Sequence, residues 1–308
     1  MNAPGIPGMR GIAMKKMLFI MNPCSGQKRA NRYLPEILSM FNQGGYDITV
    51  RMTAGPGDGE EAVRRLGPGM DMVVCCGGDG TFNEIISGLL HSGLDIPVGY
   101  IPAGTTNDFA SSLKLPTNIL RAAQAILDGT AVAYDAGKFG DRYFSYVASF
   151  GAFTRASYAT PQDIKNALGH TAYVLEGIQE LSQIRKEHVR MDFDGRVVED
   201  DFLFGAISNS ISVGGILTLD PSQVDMRDGL LEILLVRAPR NLAEISECIQ
   251  ALTNQTYNCE MITFCSTPRV TVYASPEMPW TLDGEREEGH EVVEVQNQHL
   301  AFKLIQEV

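Results

Sequence analysis

The chain has 308 residues, of which 44% are hydrophobic and 20% charged, and its formal net charge is −12. This length allows two ordinary domains or one large one, and the composition is that of a soluble globular protein. The negative charge disfavours nucleic-acid binding and a broad polybasic membrane anchor. Because no apolar run approaches the roughly 18 residues of a membrane-spanning helix, we expect no membrane span.

Residues 1–13 lack the apolar region of a signal peptide, and we expect them to form a disordered leader. The structured part is expected to begin near Lys16. Six cysteines occur without a CxxC pair, which favours reduced thiols in a cytosolic protein over disulfides or zinc ligands. The five histidines show no metal-ligand spacing, so they are interpreted as surface or hydrogen-bonded side chains.

Strand and helix patterns alternate up to about residue 130. Apolar strands are predicted at 17–21, 46–52, 70–76 and 96–101. Helices are predicted at 30–41, from the turn at 55–61 to 66, at 81–90 and at 118–127. This alternation predicts an α/β domain with a parallel sheet and helices on both of its faces.

Beyond Asp135 the pattern changes to many short strands. They are predicted at 143–150, 189–193, 196–198, 202–207, 230–236, 269–273, 292–295 and 300–305, with one longer helix at 164–187. Asp194-Gly195 is a plausible hairpin turn. Strands at this spacing predict an antiparallel, sandwich-like domain. We therefore divide the chain into the leader, an α/β domain at 14–133 and a β-rich domain at 134–289, with 290–308 packing back on the α/β domain.

Three polar loops follow strands of the predicted parallel sheet: Asn22-Pro23-Cys24-Ser25-Gly26, Cys76-Gly77-Gly78-Asp79-Gly80-Thr81 and Pro102–Asp108. Because ligands of such sheets gather at the carboxyl ends of the strands, we expect the three loops to project from one edge. The amides of Gly80 and Thr81 precede a helix, and the positive end of a helix attracts phosphate. The three loops together predict a nucleotide cleft.

The carboxylate of Asp79 lies in the middle of this glycine loop, where it would repel a phosphate. Mg²⁺ removes the conflict, because it keeps several waters and bridges carboxylates to substrate phosphates. A plain glycine turn in which Asp79 caps a helix would explain this loop equally well, but three loops on one edge favour MgATP. The chain has no GxxxxGK[ST] loop, so the positive charge must come largely from Mg²⁺ and backbone dipoles.

The motifs NPCSG, GGDGTFNE and IPAGTTNDFA, followed by DMRDGL at 225–230 and DGE at 283–285, resemble the diacylglycerol kinase catalytic-domain family. The similarity is greatest to the soluble lipid kinases of Gram-positive bacteria, and it covers nearly the whole chain from Lys16. GGDGT alone is less specific, because NAD kinases and phosphofructokinase-like enzymes carry similar loops. The first and third motifs make the lipid-kinase resemblance specific.

The resemblance implies roles for individual residues. ATP would contact Asn22, Pro23, Cys24, Ser25, Gly26, Thr53, Gly78, Asp79, Gly80, Thr81, Phe82, Asn83, Glu84 and Thr105. Asp79, Asp108 and Asp228 would form a water-linked acidic network around magnesium. A structural Mg²⁺ would be held by Asp228 and the backbone carbonyls of Asp225 and Leu230, with a side-chain contribution from Asp225 left open. Without the resemblance, 225–230 would be interpreted as a polar turn before a strand.

Glu285 is the implied general base, which would accept the proton of a lipid hydroxyl. Without the resemblance it would be interpreted as part of an exposed acidic turn. The expected enzyme uses Glu285, Asp79 and Asp108 to transfer the γ-phosphate of ATP to diacylglycerol, which gives phosphatidic acid. It would be cytoplasmic, with transient peripheral membrane contact, and a homodimer is expected from the family. The alternatives are a kinase of another lipid alcohol (a sphingoid base or phosphatidylglycerol), an NAD kinase, and a non-catalytic nucleotide-binding regulator.

Overall fold

A computed structural model describes residues 14–26, 28–151, 185–213, 217–254, 257 and 259–307. The expected leader and most of the predicted helix at 164–187 lie outside the described residues. Glu187, the last residue of that predicted helix, instead begins a strand. Within the described residues, no helix has the length and apolarity needed to cross a membrane.

The N-terminal part contains the predicted parallel sheet. Its strands are β1 (Lys15–Met21), β2 (Tyr46–Met52), β3 (Met72–Gly77) and β4 (Val98–Pro102), in the spatial order β2-β1-β3-β4. A 3-10 helix (Arg29–Tyr33) precedes α1 (Leu34–Gln43), and α2 (Asp58–Leu66), α3 (Asp79–Ser92), α4 (Asp108–Ser112) and α5 (Ile119–Asp128) follow. The α/β class expected from the sequence is confirmed.

Both faces of this sheet are buried, as the continuous apolar strands indicate. Leu18 and Ile20 of β1 pack in a core with Phe82 of α3. The alternate residues of β1 pack on the opposite face with Phe41 of α1: Met17, Phe19 and Met21. Local chemistry sets the helix ends. The side chain of Asn118 accepts hydrogen bonds from the first turn of α5 at 3.1 Å, and Gly93 ends α3 with φ +62°.

The rest of the chain is mainly antiparallel. Its elements are β5 (Thr130–Phe139), β6 (Arg142–Phe144), β7 (Val147–Gly151), β8 (Glu187–Phe193), β9 (Arg196–Ser208), β10 (Ser212–Val213), β11 (Leu217–Thr218), β12 (Leu231–Arg237), α6 (Leu242–Thr253), β13 (Ile262–Thr267), β14 (Arg269–Ala274), β15 (Trp280–Leu282), β16 (Glu285–Glu287) and β17 (Val292–Gln306). The Asp194-Gly195 hairpin turn joins β8 to β9, with φ +51° and +72°. The predicted β-rich antiparallel part is therefore confirmed.

Several predicted strands have other limits. The strand predicted at 143–150 is two strands, β6 and β7, whereas the pairs predicted at 196–198 and 202–207, and at 292–295 and 300–305, are the single strands β9 and β17. Strand β17 tolerates its polar middle because its pairing with β5 is irregular between Gln298 and Phe302.

Strand β17 links the two parts of the fold. It pairs antiparallel with β14 and β5, and near its end Leu304 pairs in parallel with Val98 of β4. The described strands therefore include one continuous sheet of 15 strands. Strand β5 spans the predicted domain boundary at 133–134, which stays a prediction. A further core around Trp280 fills the antiparallel part.

Candidate active site

A cleft of about 420 Å³ opens at the carboxyl edge of the parallel sheet. It is lined by residues from all three predicted loops, from the end of β2 and from the β15–β16 hairpin: Asn22, Cys24, Ser25, Gly26, Thr53, Ala54, Gly55, Pro56, Gly78, Asp79, Gly80, Thr81, Glu84, Gly104, Thr105, Thr106, Asp283 and Glu285. Most of the residues that the resemblance implies for ATP binding therefore line this single cavity.

Direct contacts hold the three loops together. The N–H of Gly78 donates to the hydroxyl of Ser25 at 3.1 Å, and the side-chain amide of Asn22 donates to the hydroxyl of Thr81 at 3.2 Å. The third loop is tied to β3, because the N–H of Ala103 donates to the carbonyl of Gly77 at 2.7 Å. The three loops therefore meet at one edge of the sheet, as expected, and hydrogen bonds between them stabilise this arrangement.

The glycines of these loops allow close approach. A Cβ on Gly104 would lie 2.6 Å from the Cα of Gly78, and a Cβ on Gly26 would lie 2.5 Å from the carbonyl oxygen of Ala103. Gly26 also has φ +48°, which disfavours other residues. A side chain at either position would push the loops apart, so the shape of the cleft depends on glycine.

Asp79 caps a helix, but not the helix that contains it. Its carboxylate oxygens accept hydrogen bonds from the N–H groups of Asp108 and Phe109, at 3.1 and 3.3 Å, at the start of α4. Asp108 is also buried, and its Oδ1 accepts a hydrogen bond from the hydroxyl of Ser212 at 3.0 Å. The two acidic residues therefore join the second and third loops to β10, on the antiparallel side of the molecule.

Glu285 is the first residue of β16 and reaches the cleft directly after the turn from β15. Its Oε1 lies 2.9 Å from the point that a Cβ on Gly80 would occupy, so the carboxylate faces the first turn of α3. Arg142 Nη2 lies 3.8 Å from Oε2 of Glu285, and Nη1 of the same arginine contacts Glu287. This arrangement places a carboxylate beside the amides that the sequence predicts to bind phosphate.

Asp283 fixes the position of that turn. It is buried, and its carboxylate accepts hydrogen bonds from the N–H (2.5 Å) and hydroxyl (2.6 Å) of Ser145 and from the N–H groups of Tyr146 (3.0 Å) and Val147 (2.9 Å). Burial raises the pKa of Asp283 to about 6, although these hydrogen bonds lower it. These donors are the reason that β6 and β7 are separate strands.

Glu84 and Phe82 have structural contacts that the sequence did not predict. The carboxylate of Glu84 accepts hydrogen bonds from the N–H groups of Gly57 (2.6 Å) and Gly59 (2.8 Å), which ties the start of α2 to α3. Burial raises the pKa of Glu84, and the two amides lower it. Phe82 is fully buried and stacks on Tyr100 with ring centroids 4.5 Å apart.

Three residues implied to bind ATP, Pro23, Phe82 and Asn83, do not line the cleft. Conversely, Ala54, Gly55 and Pro56 line it and were not predicted to do so. Their sequence signal was the position directly after β2, since that strand ends at the same edge of the sheet as β1, β3 and β4.

The residues implied to hold a structural Mg²⁺ lie outside the cleft, in the loop before β12. Asp225 Oδ1 accepts a hydrogen bond from the N–H of Arg227, and Asp228 Oδ1 from the N–H of Leu230. The Leu230 carbonyl accepts a hydrogen bond from the side-chain amide of Asn297 at 2.8 Å. Among the described residues, no group of three or more His, Cys, Asp or Glu side chains has a metal-binding arrangement.

Glu232 is a residue of this region that the sequence analysis missed. It is 1% exposed, and its Oε2 has no hydrogen-bond partner in the described part of the chain. Burial, followed by the charge of Asp228, raises the pKa of Glu232 to about 8. The sequence signal was a single acid within the apolar strand Leu231–Arg237. Carboxylates and a backbone carbonyl are the types of donor that Mg²⁺ prefers. Within the described residues they do not form a metal-binding arrangement, so the structural Mg²⁺ site stays a prediction.

Comparisons with known proteins agree with the fold and the motifs. Residues 16–139 match the model of the diacylglycerol kinase catalytic domain, and residues 147–304 match that of the YegS C-terminal NAD kinase beta sandwich-like domain. A diacylglycerol kinase of Bacillus subtilis (strain 168) is 34% identical over 275 residues, which cover 88% of this chain and 90% of that protein. The diacylglycerol kinase of Staphylococcus carnosus (strain TM300) is 32% identical over 273 residues, with 88% and 89% covered.

A solved structure of a diacylglycerol kinase from Bacillus anthracis str. Sterne has the same fold. It superposes with a TM-score of 0.75 at 24% sequence identity and covers 95% of this chain and 97% of that chain. The order of the three glycine loops, the shared cleft and the relatives that match over most of the chain lead to one conclusion. The chain belongs to the diacylglycerol kinase family of enzymes.

Proposed function

We propose that the enzyme transfers the γ-phosphate of ATP to the free hydroxyl of diacylglycerol, which gives phosphatidic acid. The observation that carries the proposal is the position of Glu285, whose Oε1 faces the first turn of α3 in the wall of the glycine-loop cleft. The acceptor is inferred from the relatives in Bacillus and Staphylococcus that bear the name diacylglycerol kinase.

The cleft supplies the contacts for ATP. The N-terminal end of α3 offers backbone N–H groups and a positive dipole to the phosphates. Ser25, Thr81 and Thr105 add hydroxyl groups from the three loops, and Thr53 adds one from the end of β2. In this proposal Phe82 and Asn83 act indirectly, because the buried Phe82 ring and the bond from Asn83 to the Tyr143 carbonyl hold α3 in place.

Phosphoryl transfer depends mainly on alignment and on stabilisation of charge. In the proposed step, a carboxylate oxygen of Glu285 accepts the proton of the lipid hydroxyl while that hydroxyl oxygen attacks the γ-phosphorus and the bond to the departing ADP breaks. Asp79 and Asp108 hold the second and third loops in register, so that the phosphates meet the hydroxyl in line.

Mg²⁺, when bound, neutralises charge on the phosphates and on the acidic groups near them. Asp228, with the carbonyls of Asp225 and Leu230, would hold the structural ion, and the exposed side chain of Asp225 is available to it. Because diacylglycerol resides in membranes, the proposed enzyme works in the cytoplasm and reaches its acceptor by transient peripheral contact. The described cysteines are all free, which agrees with a reducing compartment. A homodimer stays a family-based prediction.

Radiolabelled ATP and mixed micelles that contain diacylglycerol test the proposal. Label should appear in phosphatidic acid, and Glu285→Gln should reduce turnover by roughly 10²- to 10⁴-fold while ATP affinity persists. The matched control is Glu288→Gln, an exposed acid three positions further on, which should leave turnover unchanged. Retention of most activity by Glu285→Gln would show that Glu285 is not the base.

The same assay separates the alternatives. The NAD kinase beta sandwich-like match at 147–304 makes NAD the second acceptor to include, and label in NADP would favour that activity. Label in a sphingoid base or in phosphatidylglycerol would favour another lipid alcohol. Tight ATP binding without transfer to any acceptor would favour a regulatory nucleotide-binding protein.

A further inference from the structure

Strand β2 forms an open edge of the parallel sheet. Within the described residues it pairs only with β1, and its residues 47 and 49–52 are exposed. The side-chain amide of Asn42 donates to the carbonyl of Tyr46 at 3.4 Å, at the start of the strand. An uncovered edge presents unpaired N–H and C=O groups to which another strand can add, and natural proteins usually shorten or cover it. A seven-residue open edge therefore points to a partner.

The bonds at the two ends of β2 show which backbone groups face outward. Before the strand, the carbonyl of Gly45 accepts a hydrogen bond from the N–H of Lys15 at 3.0 Å. After it, the N–H of Thr53 donates to the carbonyl of Met21 at 2.9 Å. The N–H and C=O of one strand residue point to the same side, and that side alternates along the strand. The odd-numbered residues therefore bond to β1, and the even-numbered residues direct their backbone groups away from it: Tyr46, Ile48, Val50 and Met52.

The charges of β2 are arranged symmetrically about its central residue, Thr49. Asp47 lies two residues before Thr49 and Arg51 two residues after it, so all three side chains stand on one face of the sheet. Both charged side chains are exposed, and neither has an ion-pair or hydrogen-bond partner in the part of the chain that the structure describes. If a second copy of β2 adds antiparallel with Thr49 opposite Thr49, Asp47 of each copy faces Arg51 of the other.

This register satisfies the backbone and the charges together. Antiparallel ladder bonds join residues whose backbone groups face each other, so the even-numbered residues of the two copies must lie opposite one another. A two-fold axis at Thr49 meets this condition, pairs all seven residues of the strand and brings unlike charges together twice. An axis at Ile48 or at Val50 also meets it, but Asp47 would then face a threonine, Thr49 or Thr53.

The other face of β2 favours the same partner. Val50 is 40% exposed and Met52 is 37% exposed. They share the face of the strand on which Tyr46 and Ile48 pack with the core that contains Phe41. In the symmetric pair Val50 lies opposite Ile48 of the second copy, and Met52 lies opposite Tyr46, so apolar surface of both copies leaves water.

We propose that β2 is the contact surface for a second copy of this chain, which adds antiparallel about a two-fold axis at Thr49 and continues the sheet across the dimer. Such a dimer accounts at once for the open edge, the symmetric charges and the exposed apolar side chains. Each pair of even-numbered residues exchanges two N–H···O bonds, which gives the contact its affinity and its register. Dimer formation is independent of the proposed reaction.

Analytical ultracentrifugation of the full chain over a range of concentrations tests the surface. The wild type should dimerise, and Val50→Pro should stay monomeric at concentrations where the wild type is a dimer, because proline removes an outward N–H and is tolerated on an open edge. Arg51→Glu should raise the dimer dissociation constant by about 10-fold or more, since it brings like charges together twice. The exchange Asp47→Arg/Arg51→Asp should return the constant to within about threefold of the wild type.

Arg64→Glu is the matched control for charge. Arg64 is exposed on α2, away from the edge, so the same change of charge there should leave the dissociation constant as it is. Circular dichroism of Val50→Pro should match that of the wild type, which separates loss of the dimer from loss of the fold. If Val50→Pro does not fold, Arg51→Glu and the charge exchange decide the question.

Cysteine cross-linking tests the register. Thr49→Cys places two thiols in a non-hydrogen-bonded pair, whose Cα atoms are about 4.5 Å apart and within the range of a disulfide. Oxidation by air should give a covalent dimer, and mass spectrometry should find the 49–49 cross-linked peptide. Asp47→Cys is the control, because its two thiols would lie about four residues, roughly 13 Å, apart along the strands and should not cross-link.

A wild type that is monomeric at every concentration overturns the proposal. A dimer that persists in both Val50→Pro and Arg51→Glu also overturns it, because the copies then meet through another surface. Equal cross-linking at positions 47 and 49 contradicts the axis at Thr49. A loss of phosphatidic acid formation with an intact dimer would overturn the proposed function and leave this interface in place.

Discussion

Gly80→Ala should impair turnover without weakening the fold, because Gly80 is the residue that Glu285 faces. Gly80 is the second residue of α3, and its φ is not positive, so alanine fits the backbone there. Alanine also favours helix over glycine by up to about 1 kcal/mol. The folded state should therefore be as stable as the wild type or slightly more stable.

The new methyl group would meet the proposed base. Its Cβ would lie 2.9 Å from Oε1 of Glu285, whereas ordinary contact begins at 3.4 Å, so the carboxylate must retreat by at least about 0.5 Å. Because a 1 Å misplacement of a catalytic group can cost about 100-fold, we expect kcat to fall roughly 10- to 100-fold. Affinity for MgATP should stay within about threefold of the wild type, since the loops and their hydrogen bonds remain.

The assay combines steady-state kinetics with diacylglycerol, calorimetric titration of MgATP and thermal unfolding. Gly55→Ala is the matched control, because Gly55 lines the same cleft and has no positive φ. In the part of the chain that the structure describes, no atom lies within 4 Å of the point that its new methyl group would occupy. The double variant Gly80→Ala/Glu285→Gln should be no slower than Glu285→Gln alone. A wild-type kcat in Gly80→Ala, or a loss confined to ATP affinity, would refute the reasoning.

Three further predictions concern packing, access and protonation. Gly137→Ala should lower the free energy of unfolding by about 1–3 kcal/mol, because its Cβ would lie 1.9 Å from the fully buried ring of Phe144; an unchanged denaturation midpoint contradicts this. Cys24 is exposed in the cleft whereas Cys76 is buried, so a thiol reagent should modify Cys24, as peptide mapping would show. MgATP should slow this modification. If Cys24 reacts at the same rate with and without MgATP, it is not part of the nucleotide site. The pKa of Asp283, raised from 3.8 to about 6, means that the folded state keeps a proton that the unfolded chain releases. Wild-type stability relative to Asp283→Asn should therefore fall by up to about 3 kcal/mol as pH rises from about 4 to about 6, and a flat difference contradicts this.

Much of the fold could be predicted because local sequence patterns indicate its strands, helices and turns. Alternating apolar strands and helices predicted the parallel sheet, and the Asp-Gly pair at 194–195 predicted the β8–β9 hairpin. The errors arose where tertiary contacts override local polarity. Strand β9 continues through the acidic residues Glu199–Asp201 because β8 pairs with it from Arg196 to Phe202. The strand predicted at 143–150 breaks because Asp283, distant in the chain, takes the N–H groups of Ser145, Tyr146 and Val147.

In the candidate site too, the sequence predicts the general arrangement but not the contacts of single side chains. The loops could be predicted to meet because the topology of a parallel sheet places all strand ends on one edge. The partners of single side chains could not be predicted in this way. Asp79 caps α4, and Glu84 accepts hydrogen bonds from backbone amides at the start of α2. The residues next to Asp79 and Glu84 in the sequence do not indicate either contact.

The sequence by itself determined the class of fold, the order of the glycine loops and the family, because periodicity and motif spacing are properties of neighbouring residues. Only the tertiary structure decided that Glu285 faces Gly80 and that Glu232 is buried, with one oxygen that has no hydrogen-bond partner among the described residues. Both facts depend on how distant strands pack against one another. The burial and the electric field at a carboxylate are set by everything that surrounds it in space, and no stretch of chain contains that information.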